Sequence, residues 1–284
     1  MTALAANPSA SLLSGKPLRL ICAGILLVNG LFPALWILFT SLKTEAELTA
    51  KPITWFPHAP TLANYHTAFT DQPLHLFLFN SFMVAILSTA LTIVVSVLAA
   101  YAIARLNLRH RGLILSAIIA VSTFPLVTLL VPLFEIMRAF GLLNSWTALV
   151  LPYTVLSLPV CTLMLVSFFE GIPRDLENAA MIDGCTRIGA LVKVVVPLAA
   201  PGVFTAGILA FVNAWDEFLL ALSFNSSPAL RTLPVGIQLY QGEFAFPWPV
   251  ISAALVVGIV PVAILIVIFQ ERVVSGLTAG GIKG

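Results

Sequence analysis

Leu76-Phe-Leu-Phe-Asn-Ser-Phe-Met-Val-Ala-Ile-Leu-Ser-Thr-Ala-Leu-Thr-Ile-Val-Val-Ser-Val-Leu-Ala-Ala-Tyr-Ala-Ile-Ala104 contains no charged side chain. A bilayer-spanning helix needs about 20 apolar residues, because the hydrocarbon core is roughly 30 Å thick and each helical residue rises about 1.5 Å. The stretch is therefore long enough to cross a membrane. Working outward, five more runs pass the same test: Leu20–Thr40, Leu113–Phe134, Trp146–Phe169, Val203–Phe224 and Val250–Phe269. Composition agrees, with 60% hydrophobic and only 9% charged residues and a mean hydropathy of +1.04. Soluble domains carry roughly 25% charged residues, so this chain has too few to coat a water-facing surface. The expected fold is an all-α membrane protein of six transmembrane helices.

Several functions are excluded early. A net charge of +2 gives no basic stripe of the kind nucleic acid requires. Cys22, Cys161 and Cys185 show no paired spacing, and His58, His66, His75 and His110 all lie outside the apolar runs and away from the cysteines. No metal site or disulfide framework is expected. The first run starts too late for a short cleaved signal and no small-residue cleavage site follows it. It is expected to be a retained helix behind a disordered segment, residues 1–17.

Orientation follows from Lys and Arg, which concentrate in cytoplasmic loops. A cytoplasmic N-terminus puts Lys16, Arg19, Arg105, Arg109, Arg111, Arg174, Arg187, Lys193, Arg272 and Lys283 inside, against Lys43, Lys51, Arg138 and Arg231 outside. Both termini then come out cytoplasmic. The transmembrane domain is expected over 18–272, with a cytoplasmic loop at 170–200 and a cytoplasmic tail at 273–284. The outside segments 41–75 and 225–249 are long and rich in Pro and aromatic residues. Trp55, Tyr65, Tyr240 and Trp248 suit either an interfacial belt or a docking surface for an extracytoplasmic partner.

The cytoplasmic loop between the fourth and fifth runs reads as two short amphipathic helices. Pro173 suits a first helical position. Leu176, Ala179 and Ala180 follow at i, i+3, i+4, and Gly184 supplies a left-handed C-cap. Thr186 is the N-cap of a second piece, in which Ile188, Leu191, Val192 and Val195 share a face until Pro197. A simple connector needs none of this. Alanines at 179 and 180 admit a second surface closely, so the pair is expected to be a docking knob for a cytoplasmic partner.

The run Glu177-Asn-Ala-Ala-Met-Ile-Asp-Gly184, nine residues, then Val194-Val-Val-Pro197 resembles the EAA loop of ABC importer permeases. That pattern reads Glu-Ala-Ala, three residues, Gly, nine residues, Ile-x-Leu-Pro. The departures are Asn178 in place of a glutamate, and Val194 and Val196 for Ile and Leu. Asn80-Ser81, the run Phe211-Val-Asn-Ala-Trp-Asp-Glu-Phe-Leu-Leu-Ala-Leu222 and Thr232-Leu-Pro-Val-Gly236 resemble the family too. The tail from Phe269 to Gly284 is similar to that of its carbohydrate branch, the maltose- and trehalose-type permeases.

The resemblance implies a channel-forming subunit of a type I importer in a bacterial plasma membrane, moving a sugar, such as a di- or oligosaccharide, through the lipid bilayer. Its implied partners are a homologous second permease, two copies of an ABC ATPase and an extracytoplasmic solute-binding protein. ATP and Mg would sit on the ATPases, since this chain has no Walker-type motif and is expected to be no enzyme and to hold no cofactor. Glu177, Asn178, Ala179, Ala180, Met181, Asp183 and Gly184 would carry coupling to the ATPase. The tail after Gln270 would also touch it, and Tyr240, Gln241, Gly242 and Glu243 would touch the binding protein.

Polar groups at membrane depth usually face a cavity or a partner. In the fifth run Asn213, Asp216 and Glu217 lie at i, i+3, i+4 beside Trp215, and with Asn80 they are candidates for the substrate path. The alternatives are that the fifth-run residues are wet or structurally paired near the outer end, and that Asn80 caps the second helix. Pro125, Pro132, Pro152 and Pro159 are expected to kink their helices. A non-sugar solute such as a polyol or glycerol phosphate fits the same class. A secondary transporter would place coupling ionisable residues at the midplane, often on two inverted repeats. An intramembrane enzyme would need a nucleophile and base at depth. Neither rival accounts for the helix pair at 173–195.

Overall fold

The computed structural model describes residues 16–242 and 246–281, and among these the regular secondary structure is helical, without a strand. The N-terminal segment expected to be disordered lies, up to residue 15, outside the described residues, as does the end of the tail. In chain order the α-helices are α1 (Lys16–Ser41), α2 (Glu45–Thr49), α3 (Ala63–Asp71), α4 (Leu74–Arg105), α5 (Arg111–Ser122), α6 (Leu126–Ala139) and α7 (Thr147–Glu170). Then come α8 (Arg174–Ile182), α9 (Arg187–Ala190), α10 (Val196–Leu198), α11 (Ala200–Asp216), α12 (Leu219–Phe224), α13 (Leu233–Gln238) and α14 (Trp248–Gly281). The chain divides into two units, residues 1–70 with 243–256 and residues 71–242 with 257–284.

Among the described residues, four helices are long and apolar enough to cross a bilayer unbroken: α1, α4, α7 and α14. The third expected span is not one straight helix. α5 and α6 meet at 95°, because Pro125 has no N–H to continue the ladder and drives Phe124 out of helical geometry. Ser122 and Thr123 hydroxyls donate to Ile119 and Ala120 carbonyls at 2.7 Å each, which satisfies acceptors that the break frees. Pro132, Pro152 and Pro159 stay inside continuous helices. The fifth expected span also differs. Residues 187–198 meet α11 at 82°, and the helix stops at Asp216, where Glu217 turns to extended backbone before α12. With each bent pair taken as one crossing, the count reaches six.

In the first unit the segment after α1 folds on itself. Asn64 Nδ2 donates to the Ser41 and Lys43 carbonyls at 2.8 Å each. Lys43 is buried, its ammonium donating to the Thr54 carbonyl and lying 5.1 Å from the Trp36 ring centroid. Glu47 accepts from the His58 backbone N–H and the Thr54 hydroxyl at 2.9 Å each. The His58 N–H, ahead of smaller contributions from Thr54 and the His58 ring, holds the Glu47 carboxyl below its ordinary pKa. Trp55 stays exposed at its tip.

The second unit is organised by α4 lying along α7, with α11 packed on both. The buried face of α4 steps through Ala85, Ser88, Thr92, Ser96 and Ala100. These small side chains at helical spacing let the helix backbones approach closely. α13 closes on the start of α4: a Cβ added at Gly236 would fall inside the Phe77 ring, and Phe77 is 1% exposed. Gly236→Ala is expected to destabilise the fold by about 2 kcal/mol through overpacking, read by denaturant titration in detergent. Stability equal to wild type would mean that Phe77 has room to move.

Candidate functional site

The helix pair expected at 173–195 forms as α8 and α9, with two differences from the expectation. Pro173 precedes α8 as its N-cap rather than sitting in its first turn. Gly184 takes φ +91°, the left-handed geometry expected of it. The Thr186 hydroxyl accepts from Gly189 N–H at 3.1 Å, capping α9. α9 then runs into a π-helical turn at Leu191–Val195 and into α10, so Pro197 does not close the segment; the bend comes at Ala199.

The loop residues divide between two faces. Asn178, Ala179, Asp183 and Gly184 are exposed, Ala180 and Met181 are half-buried, and Glu177 is buried. Around them Leu176, Ile182 and Ile188 are open apolar side chains, Ile182 at 86% exposure. Glu177 turns the other way, to the end of α4. Its Oε2 lies 3.3 Å from Arg105 Nε, and its Oε1 accepts from the Tyr101 hydroxyl. Arg105 also donates to the Ile172 carbonyl at 2.9 Å, and Arg174 donates to the Ala104 carbonyl at 3.2 Å.

The candidates for the substrate path separate into four places. Asn213 and Glu217 line a cavity of about 220 Å³ with Tyr153, Ser157, Leu126 and Leu156. Tyr153 donates to Glu217 Oε2 at 2.5 Å, and the same carboxylate accepts from Leu220 and Ala221 N–H at 2.8 and 3.1 Å. Asp216 is exposed at the last residue of α11. Trp215 is buried, stacked on Phe211 with centroids 5.7 Å apart, and lines a separate apolar cavity with Phe79 and Phe82. Asn80 is within α4 rather than capping it. It is 1% exposed, donating to the Ala229 and Arg231 carbonyls at 2.9 and 3.0 Å and accepting from Trp146 Nε1 at 3.1 Å.

These bonds, with Leu233 N–H donating to the Ser81 hydroxyl at 2.8 Å, pin the segment 229–233 to α4. Beyond it Gln241 and Gly242 are exposed, whereas Tyr240 is buried. Burial, and then the charge of Asp71, push the Tyr240 hydroxyl up to about 12. Glu243 lies outside the described residues.

Sequence reasoning did not find Tyr153, Ser157, Tyr101 or Arg105. The first two carried a usable signal, as hydroxyls within an apolar run. Tyr101 carried the same signal, but nothing in the sequence paired it or Arg105 with Glu177, which lies far from both along the chain.

Residues 92–278 match the family described as the binding-protein-dependent transport system inner membrane component. The chain belongs to that family. It is 88% identical over 285 residues to the sulfoquinovosyl glycerol transport system permease protein of Agrobacterium fabrum, with 100% of each chain covered. It is 41% identical over 256 residues to a trehalose transport system permease protein of Mycobacterium tuberculosis, covering 89% of this chain and 93% of the relative. Its fold matches a chain in the crystal structure of a bacterial ABC transporter involved in the import of the acidic polysaccharide alginate. That match has a TM-score of 0.80 and 20% identity, and covers 95% of this chain and 99% of the other. The protein is thus an ABC importer permease, a non-catalytic inner membrane component whose family implies an ATPase and a solute-binding protein as partners.

Proposed function

We propose that this chain is the channel-forming subunit of an ATP-driven importer for a sulfonated sugar glycoside of the sulfoquinovosyl glycerol type. The full-length 88% identity to a permease of that name carries the solute assignment. In this reading the complex holds a homologous second permease, two ATPase subunits and an extracytoplasmic binding protein. ATP and Mg belong to the ATPases. Both termini and the loop at 170–200 face the cytoplasm, in keeping with the ten-to-four split of Lys and Arg.

The exposed face of α8, with Asn178 and Ala179 beside Leu176 and Ile182, is the docking surface for the ATPase, and segment 225–242 faces the binding protein. The cavity at Asn213 and Ser157 is the part of the substrate path that this chain supplies. There the Glu217 carboxylate is already engaged by three donors, which leaves Ser157 and Asn213 as the neutral polar groups available to a sugar.

The test is ATP hydrolysis by the purified complex in proteoliposomes. Binding protein loaded with sulfoquinovosyl glycerol is expected to stimulate it and to drive uptake, and trehalose is not. In Ala179→Asp, stimulation is expected to fall at least tenfold at normal membrane abundance, because a buried unpaired charge opposes docking. Normal stimulation in that variant would sink the docking assignment. Stimulation by trehalose alone, or by a polyol, would sink the solute assignment.

A further inference from the structure

The burial of Glu177 places one of the conspicuous acidic residues of the loop on the wrong side to meet a cytoplasmic partner. α8 has nine residues, too few to hold helical shape alone in water. A push on its exposed face displaces the spans only if the opposite face is fixed to one of them. That fixing is concentrated in the last turn of α4. Tyr101 donates to one Glu177 oxygen, Arg105 faces the other at 3.3 Å, and Arg105 and Arg174 clasp the Ile172 and Ala104 carbonyls at 2.9 and 3.2 Å. The Arg105 and Glu177 side chains are 5% and 8% exposed. Leu191 and Val195 of the π-helical turn are buried in the same cluster as Ala100 and Ile103.

We infer that Tyr101, Arg105 and Glu177 form the joint that carries displacement of α8 into α4, with Glu177 a positioning residue facing its own chain. This rests on the reading of α8 as the ATPase docking element. Two charges this buried cannot part without leaving one of them bare in a poorly polarisable interior, so the joint moves as a unit. Arg105 Nε is close to the carboxylate yet makes no aligned hydrogen bond, which leaves room for a second arrangement of the same pair. From α4 the path is contiguous. α4 packs against α7 and α11, and those two helices bring Tyr153, Ser157 and Asn213 to the cavity, with Glu217 following directly on the end of α11. Coupling of this kind requires such a packed element with discrete arrangements.

The experiment compares solute moved per ATP hydrolysed in reconstituted complexes, with the ATPase retained by each complex measured alongside. Glu177→Gln is expected to lower the ratio about tenfold, within the usual range for a coupling interaction. The reversed pair Arg105→Glu with Glu177→Arg is expected to recover most of it. A role limited to stability would reduce the amount of assembled complex and leave the ratio unchanged. An unchanged ratio in assembled Glu177→Gln complexes therefore overturns the joint. If that variant does not accumulate, Tyr101→Phe decides: it keeps the ion pair and is expected to lower the ratio about threefold, and no change overturns the proposal. Failure of the wild-type chain to retain any ATPase is a different result, and it overturns the docking reading instead.

Discussion

Asn80→Ala is expected to destabilise the second unit by about 3 kcal/mol while leaving the apparent affinity for solute unchanged. The side chain uses both ends of its amide. It donates twice, to the carbonyls of Ala229 and Arg231, and accepts from Trp146 Nε1. A net hydrogen bond contributes about 1 kcal/mol, and a group left without its partner in a buried setting costs more than that. Alanine orphans three groups at once, at a residue 1% exposed. The same bonds hold the segment entering α13, so Gly236 would be expected to lose its seat on Phe77 as well. Denaturation in mixed micelles, followed by Trp fluorescence, checks the loss, and transport at limiting solute checks the affinity. Preserved stability with a weakened apparent affinity would return Asn80 to the substrate path.

Asn80 also shows why the fold was more legible than the site. The spans could be found from local apolar length alone, because lipid demands it of each helix separately. The cap at Thr186 and the left-handed glycine at 184 were legible for the same reason, since both are set within one turn of chain. The broken third span was readable in part: Pro125 was visible, but a proline inside a membrane helix is as compatible with the continuous geometry found at Pro132, Pro152 and Pro159 as with a 95° bend. What was not legible was pairing. Asn80 meets partners around residues 146 and 230, Glu177 meets Tyr101 and Arg105, and Glu217 meets Tyr153. Each pair is fixed by how α4, α7 and α11 pack, and spacing along one helix carries no information about it. Spacing put Asn213 and Glu217 on one face, and they do share a cavity. It could not say that the carboxylate was already occupied.

That occupancy makes Glu217 the second large effect. The helix ends at Asp216 and restarts at Leu219, and the first turn of α12 exposes amide donors that no preceding turn accepts. Glu217 reaches over them, taking the Leu220 and Ala221 N–H groups and the Tyr153 hydroxyl. Hydrogen bonds to a charged acceptor contribute about 1.5–3 kcal/mol each, so Glu217→Ala is expected to cost roughly 5 kcal/mol and to unseat α12. Glu217→Gln is expected to cost about half as much. Its amide nitrogen replaces one accepting oxygen and meets a donor head-on. Ser157→Ala removes a hydroxyl that holds none of these groups, and is expected to spare stability and to weaken apparent solute affinity several-fold, in line with the loss of one hydrogen bond. Measuring denaturation midpoints and solute dependence of uptake for all three separates frame from contact. If Glu217→Gln shifts solute affinity at wild-type stability, the carboxylate is a contact and the cap is secondary. If Ser157→Ala changes neither, the cavity is not on the path.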